Sequence, residues 1–393
     1  MNDTYTKEKI AVAVSGGADS LFTLMQLREQ GADLVALHGI FFQPRDKAET
    51  ADKQAVLEGL AQNCEALGVA LTVADLSSAF LELVIRPFVE AYAQGLTPNP
   101  CALCNARIKF GLLQDFSLSL GADRIATGHY ARLVRQDCAL QTTETRQNGG
   151  IPGQELSGCA TPALLQGRDP IKDQSYFLAL TPAGRLAKAL FPLGERNKKD
   201  VLSSLAARGI AIPQPTESQE VCFVPNDAYR DFLPRVAESL GIPLPGPGPM
   251  LLADGRRLGT HKGLWQYTEG QRKGLGLGWT EPLHVLGKEK KGNILRLGPR
   301  HEMRVDGCEC PNANILLPPR YWPPEVLVKT RYREKPKPAI VRMGLEAQDA
   351  AMHIRFLQPD TAVAPGQVAA VYIPTGHGEP LRLVAGGIIG AVL

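Results

Sequence analysis

Apolar residues come in short blocks that alternate with stretches at helical spacing, and the alternation repeats through the first half of the chain. Ile10–Val14 (IAVAV) is a compact apolar run that ends close to a Gly pair. Between Asp19 and Arg28, Leu21, Leu24, Met25 and Leu27 fall three and four positions apart, the spacing of one helix face. Leu34–Phe42 (LVALHGIFF) reads as a second buried strand, Lys53–Leu67 as a helix, Val69–Ala74 as a strand, and Ile125–Thr127 as a strand entering GHY. Strands that are apolar throughout, separated by helices, predict an α/β fold with a doubly wound parallel sheet. Its ligand would sit at the strand C-termini.

The pattern breaks twice. From Arg135 to Ala163 the chain is polar and glycine-rich, which predicts a long surface insertion. GIPLPGPGPM, Gly241 to Met250, is so rich in Pro and Gly that no regular element is expected there. Beyond it the helical spacing fades. Short β-like runs follow (NILRLG, VLVKTRY, AAVYIP, RLVAGGIIGAVL), the pattern of a C-terminal β-barrel-like or sandwich domain after a small connecting domain.

Composition adds little until it is read locally. Forty-three Lys+Arg against 40 Asp+Glu leave a net charge of +3, which does not by itself announce nucleic acid. Yet Asp254–Arg304 holds eleven basic and five acidic residues, and Lys329–Arg342 six basic and one acidic, so two segments offer positive surface to a phosphate backbone. MNDTYTKEKI has no apolar signal core and no run reaches membrane-spanning length, so the expected location is cytoplasmic, with no membrane partner. Eight cysteines in that compartment read as core residues, nucleophiles or metal ligands rather than disulfides.

The sharpest motif is VSGGADS, Val14–Ser20, between the first strand and the first helix. Ser15, Gly16 and Gly17 let successive N–H groups turn inward as an anion nest, and the helix start adds about half a positive charge. Asp19 and Ser20 can cap the helix or reach a bound Mg2+. Neither a Walker loop nor a dinucleotide fingerprint is present. The bland alternative is a helix-capping turn with two glycines.

SGG-x-DS after a buried strand resembles the PP-loop of the ATP pyrophosphatases, which split ATP into AMP and pyrophosphate and join AMP to a substrate oxygen. TPNPCALCNARIKF, ATGHYARL, KDQSYFL, FPLGE, ESQEVCFV, GQRKGLGLG and VKTRYR then occur in the order seen in bacterial tRNA-specific 2-thiouridylases, from about Lys9 to the C-terminus. The resemblance implies a PP-loop catalytic domain over 1–228, a small central tRNA-binding domain over 229–298 and a C-terminal β-barrel domain over 299–393. It implies ATP and Mg2+ as cofactors, tRNA as substrate, and a cysteine-desulfurase-derived donor or sulfur-relay protein as partner.

It also implies a reaction. The C2 oxygen of the wobble uridine, position 34, is a poor leaving group until adenylation turns it into AMP, after which a sulfur nucleophile attacks C2. By motif, Ala13, Val14, Ser15, Gly16, Gly17, Ala18, Asp19 and Ser20 would hold ATP. Gly39, where the family usually has Met, and Gly128 would lie near the adenosine. Asn99, Pro100 and Cys101 would face the target base. Cys104 would be the first catalytic cysteine and Cys222 the persulfide carrier. Lys172, Asp173, Gln174, Arg331 and Tyr332 would touch the tRNA.

Many relatives have Asp where this chain has Cys101. The resulting C-x-x-C, with Cys222, leaves three readings open: a [4Fe–4S] cluster on Cys101, Cys104 and Cys222, which is favoured, a cluster-free persulfide mechanism with a Cys104–Cys222 disulfide step, and a structural zinc site. Cys64 fits a helix interior, Cys138 and Cys159 fall in the insertion, and Cys308 and Cys310 read as structural. His129 is a nucleotide contact or a packed core histidine. Two rival functions remain: a PP-loop enzyme thiolating or amidating another tRNA base, and a non-enzymatic iron–sulfur RNA-binding protein. Cys222 and GQRKGLG speak against the first, and the intact Ser15, Gly16, Gly17, Asp19 and Ser20 against the second.

Overall fold

The computed structural model describes residues 8–43, 47–134, 162–214, 221–224, 228–344, 350–361, 363–376 and 380–393. The chain forms two compact units, Met1–Ser77 with Asn105–Glu217 and Pro374–Val384, and Ser78–Cys104 with Ser218–Ile373 and Ala385–Leu393.

The first unit contains β1 (Lys9–Ala13), α1 (Ala18–Glu29), β2 (Asp33–Ile40), α2 (Lys47–Ala66), β3 (Ala70–Asp75), β4 (Arg124–Ala126), β5 (Ala131–Val134), β6 (Ala163–Gln166), β7 (Ala189–Leu190) and α3 (Lys198–Ala207). The sheet order is β3-β2-β1-β4-β7, with every neighbouring pair parallel. The chain winds outward from β1 to β3, then restarts on the other side at β4. The order therefore reverses between β1 and β4, the place where open α/β sheets leave a ligand crevice.

Ile10, Ala11 and Val12 of β1 are fully buried, as the apolar run requires. Leu21, Leu24, Met25 and Leu27 of α1 pack with Val201 and Leu205 of α3 and Leu60 and Cys64 of α2 in one core. Each such leucine contributes roughly 1.5–3 kcal/mol by burial. Helix α2 starts six residues before the Lys53 expected from periodicity. Its added turn carries helix formers such as Glu49 and Ala51 but no apolar stripe, so propensity extends it.

β5 and β6 form an antiparallel ladder in register Ala131↔Gln166 to Val134↔Ala163, and Leu165 and Leu164 of β6 pair with Arg382 and Leu383. Ala163 is therefore a strand residue and not the end of an irregular insertion. Residues 135–161 lie outside the described residues, and with them Cys138 and Cys159.

In the second unit, π-helical Leu81–Ile85 runs into the α-helix Arg86–Ala93, and short Pro100–Cys104 and longer Tyr229–Leu240 helices follow. A small sheet has the order β10-β11-β8-β9, from β8 (Gly248–Leu251), β9 (Arg257–His261), β10 (Leu283–Glu289) and β11 (Ile294–Pro299). Met250, Tyr267, Val285, Leu295 and Leu297 form its core.

The Pro/Gly-rich break thus ends in a strand, which was not expected. The β11 ladder engages only Met250 and Leu251 of β8, so Pro249 deprives that neighbour of no hydrogen bond. Gly248 is required there, because a Cβ would fall 2.1 Å from the Asn293 carbonyl oxygen.

The β-rich tail comprises β12 (Val305–Cys310), β13 (Ala313–Ile315), β14 (Val326–Lys329), β15 (Lys337–Met343), β16 (Met352–Asp360), β17 (Val368–Ile373), β18 (Arg382–Ile388) and β19 (Ala391–Val392). The run β19-β12-β16-β15-β14-β17 is antiparallel, and β13 pairs with Ala385–Gly387. Among the described residues no helix is long and apolar enough to cross a membrane.

Candidate functional site

In the first unit the Val14–Ser20 loop leaves the C-terminal end of β1 at the reversal of strand order. Val14 N–H donates to Leu37 O (2.9 Å) and continues the β1–β2 ladder by one bond. The loop then turns through Gly16 at φ +90°, a conformation that disfavours any Cβ. A Cβ there would also meet Val56 of α2 at 2.7 Å. The Ser20 hydroxyl donates to Gly17 O (2.9 Å) and accepts from Ser15 N–H (3.1 Å), closing the loop on itself. Gly17 is the N-cap and supplies no side-chain cap to α1. The first-turn amides and the positive helix end suit a phosphate group.

Gly128, just past β4, completes this wall. A Cβ on it would lie 2.9 Å from the Asp19 carbonyl carbon and 3.0 Å from Ser20 N, so only glycine lets the β4 loop approach the helix start. Gly39 stands one residue before the C-terminal end of β2. Ala13, Val14, Ser15, Gly16, Gly17, Ala18, Asp19, Ser20, Gly39 and Gly128 therefore all follow or end strands at one edge of one sheet.

Two residues that sequence reasoning missed sit on Asp19. Its Oδ1 accepts from Lys198 Nζ at 2.7 Å and from the Tyr130 hydroxyl at 2.8 Å. Lys198 opens α3 and Tyr130 belongs to the GHY string. Nothing local distinguishes Lys198 from Lys199, so the tertiary contact alone identifies it.

His129 is a core residue. Its Nδ1 lies 2.7 Å from Thr127 Oγ1, and its ring is flanked by Phe110 (5.7 Å) and Phe191 (5.6 Å). Burial, assisted by the Lys109 charge, holds its pKa well below the usual histidine range, so the ring is neutral near pH 7. Of the segment expected to touch tRNA, Asp173 is buried, and its oxygens accept from Gly167 N–H, Ser175 N–H, Ser175 Oγ and Gln166 Nε2. Gln174 exchanges hydrogen bonds with the Tyr130 backbone at 3.0 and 2.9 Å. Lys172 is half-buried beside them.

In the second unit, Asn99 Oδ1 accepts from Ala102 N–H (3.1 Å) at the start of the helix Pro100–Cys104, with Pro100 in its first position. Cys101 is half-buried and Cys104 is buried. Their i,i+3 spacing puts both on one helix face. Cys222 is exposed. The adjacent Phe223 is buried in an aromatic cluster, edge-on to Phe80 (5.6 Å) and Phe88 (5.2 Å) and tilted against Phe232 (5.6 Å). Phe223 thus anchors the segment that presents Cys222 to solvent.

The expected metal set on Cys101, Cys104 and Cys222 is not assembled. Among the described residues no group of three or more His, Cys, Asp or Glu is placed to hold a metal ion. One helical turn carries the first two thiols, and the segment anchored by Phe223 carries the third, which is exposed. Cys64 is held protonated by burial, and Cys308 by its hydrogen bond to Cys310 and by burial, so neither is a nucleophile.

Arg331 Nη2 donates to Glu269 O at 2.8 Å, and Lys329 Nζ lies 5.5 Å from the Tyr332 ring centre. A cleft of about 670 Å3 is lined by Arg272, Glu281, His284, Arg300, His301 and Arg304. Beside it Trp279 is exposed, with the Arg256 guanidinium 5.0 Å from its ring. Cations with an exposed aromatic suit single-stranded nucleic acid.

A phosphate loop at the switch point of a parallel sheet, with no Walker lysine, defines a PP-loop α/β protein. Residues 8–226 match the family described as tRNA methyl transferase HUP domain, 241–299 its PRC-barrel domain, and 308–389 an aminomethyltransferase beta-barrel domain. The tRNA-specific 2-thiouridylase MnmA of Oleidesulfovibrio alaskensis is 50% identical over 383 residues, covering 98% of this chain and 99% of that protein. The enzyme of the same name from Nitratidesulfovibrio vulgaris is 46% identical over 381 residues, covering 97% and 99%. The U34-tRNA thiolase NcsA from Methanococcus maripaludis, solved with its [4Fe–4S] cluster, is 17% identical over 60% of this chain and 67% of its own at a TM-score of 0.33, too low to bear on the site. The chain belongs to the tRNA-specific 2-thiouridylase family.

Proposed function

We propose that this protein replaces the C2 oxygen of the wobble uridine of tRNA, position 34, with sulfur in an ATP-dependent reaction. The observation that carries the reading is the Val14–Ser20 loop at the reversal between β1 and β4, backed by Gly128. The relatives' name, tRNA-specific 2-thiouridylase, supports tRNA as the substrate and the 2 position as the place of thiolation.

ATP with Mg2+ is taken by Ala13–Ser20 at the α1 start, with Gly39 and Gly128 toward the adenosine. The uridine C2 oxygen attacks the α-phosphorus and pyrophosphate leaves. Asn99, Pro100 and Cys101 face the base, while Lys172, Gln174, Arg331, Tyr332 and the arginine-lined cleft serve the rest of the tRNA, and Asp173 braces its segment from within. Cys222 accepts sulfur as a persulfide from a cysteine-desulfurase-derived donor or relay protein.

The terminal sulfur bonds to C2 and AMP departs with the oxygen. The Cys104 thiolate then attacks Cys222 Sγ, breaking the S–S bond. This releases 2-thiouridine and leaves a Cys104–Cys222 disulfide, which an external dithiol reduces. Exposure of Cys222 suits loading by a partner, and burial of Cys104 protects the resolving thiol.

The test incubates the protein with unmodified tRNA, Mg-ATP and a cysteine desulfurase with cysteine. AMP, pyrophosphate and 2-thiouridine should form together. AMP formation indifferent to tRNA would sink the reading.

A further inference from the structure

The segment that leads to Cys101 and Cys104 is fastened by a buried charge network at Thr97. The Lys288 and Glu269 side chains are 1% and 8% exposed and pair at 3.4 Å. Both meet one hydroxyl: Lys288 Nζ donates to Thr97 Oγ1 (3.1 Å), and Thr97 Oγ1 donates to Glu269 Oε2 (3.2 Å). Lys288 Nζ donates a further hydrogen bond to Tyr267 O (3.0 Å).

The Thr97 backbone is held as well. Its N–H donates to Pro365 O (2.8 Å), and Gln367 Nε2 donates to Thr97 O (2.9 Å) and Pro98 O (3.2 Å). Gly366, at φ +94°, approaches so closely that a Cβ would fall 2.9 Å from Thr97 N.

Stability alone does not call for charges here. Burying a lysine and a glutamate costs several kcal/mol per ion, and apolar residues of similar volume are often as stable or more so. A directional chain of donors, Lys288 to Thr97 to Glu269, supplies what apolar packing does not: a single position for the Thr97 hydroxyl. Thr97 lies two residues before Asn99 and four before Cys101. Glu269 also accepts, through its carbonyl, the Arg331 guanidinium.

We infer that Thr97, Glu269 and Lys288 are positioning residues for sulfur transfer, a clasp that fixes the Pro98–Cys104 segment and ties it to Arg331. The inference rests on the proposed thiolation for its catalytic meaning and on the geometry alone for its structural one.

Thr97→Val keeps shape and leaves the Lys288–Glu269 pair in place while removing the bridging hydroxyl. Thr97→Ser keeps the hydroxyl. In Thr97→Val the single-turnover thiolation rate should fall roughly 10- to 100-fold, with KM for tRNA unchanged within about twofold. Thr97→Ser should stay near wild type. Iodoacetamide should alkylate Cys104 faster in Thr97→Val than in wild type, followed by peptide mass spectrometry.

Wild-type alkylation of Cys104 in Thr97→Val overturns the clasp whatever the activity. Equal loss of rate in the Val and Ser variants overturns it too, since keeping the hydroxyl would then rescue nothing. A wild-type protein that does not thiolate tRNA sinks the functional reading, and the alkylation comparison still decides the clasp.

Discussion

Lys198 reaches across 179 positions of sequence to place its Nζ 2.7 Å from Asp19 Oδ1, in the first turn of the helix that follows the phosphate loop. The same oxygen takes the Tyr130 hydroxyl. A cation so placed steadies the Asp19 carboxylate and stands beside the loop proposed to hold pyrophosphate.

Lys198→Met should therefore lower kcat/KM for ATP in tRNA-dependent AMP formation by roughly 100-fold, the scale of one lost charge-stabilising donor. Binding of tRNA in a filter assay should change little. Asp19→Ala should abolish AMP formation with equally small effect on tRNA binding. An unchanged AMP rate in Asp19→Ala would remove the loop from the chemistry.

The cysteines should separate by role. Cys104→Ser and Cys222→Ser should both lose thiolation, because each thiol takes part in the S–S chemistry. Cys101→Asp should remain active with a persulfide donor, since among the described residues no metal-holding group is assembled around it. After incubation with the donor, intact-protein mass spectrometry should show one added sulfur atom on wild type and on Cys101→Asp, and none on Cys222→Ser. An inactive, persulfidated Cys101→Asp would give Cys101 a role of its own.

His129 predicts an acid-side loss of stability. Its folded pKa lies well below 6.5 because of burial and then Lys109, while the unfolded histidine titrates normally. The unfolded state therefore binds the extra proton. The stability present above pH ~6.5 falls as pH drops below that point, by up to about 1.4 kcal/mol per pH unit until the folded ring also titrates. His129→Gln should flatten this part of the profile, read as Tm between pH 5.5 and 7. An identical slope in the variant would mean that other groups carry it.

The arginine-lined cleft should contribute to RNA affinity through charge alone. Arg300→Ala or Arg304→Ala should weaken tRNA binding about equally for cognate and non-cognate tRNA and reduce the salt slope by about 1. Trp279→Ala should weaken binding without altering the slope, because stacking releases no counterion. A salt slope indifferent to both arginines would place the phosphate path elsewhere.

How much of this was legible depended on how far apart the partners lie in sequence. β1, α1 and the phosphate loop could be read because period and turn residues are local, within Ile10–Arg28. Strand β8 could not, because Pro249 argues against a strand until its neighbours are known. Lys198 and Tyr130 look like ordinary residues until the fold sets them on Asp19, and Lys288 looks like a surface lysine until Glu269 and Thr97 surround it. His129 was open between ligand and core, and only Phe110 and Phe191 decide for core. The motif placed Asp173 with the RNA, yet its hydrogen bonds all run inward. The three cysteines were grouped by motif matching, but which of them is buried (Cys104), half-buried (Cys101) or exposed (Cys222) is set by the fold.

The β5–β6 ladder has a practical consequence. Because Val134 and Ala163 are partners across it, they are neighbouring points of the fold, whatever lies between them in sequence. The stretch is in effect a socket. A two-residue turn, an epitope or a whole reporter domain whose own ends lie close together can be spliced between those two residues without asking either strand to change register. Such chimeras would put a label on the nucleotide-binding unit while leaving the cysteine-bearing segments of the chain as they are.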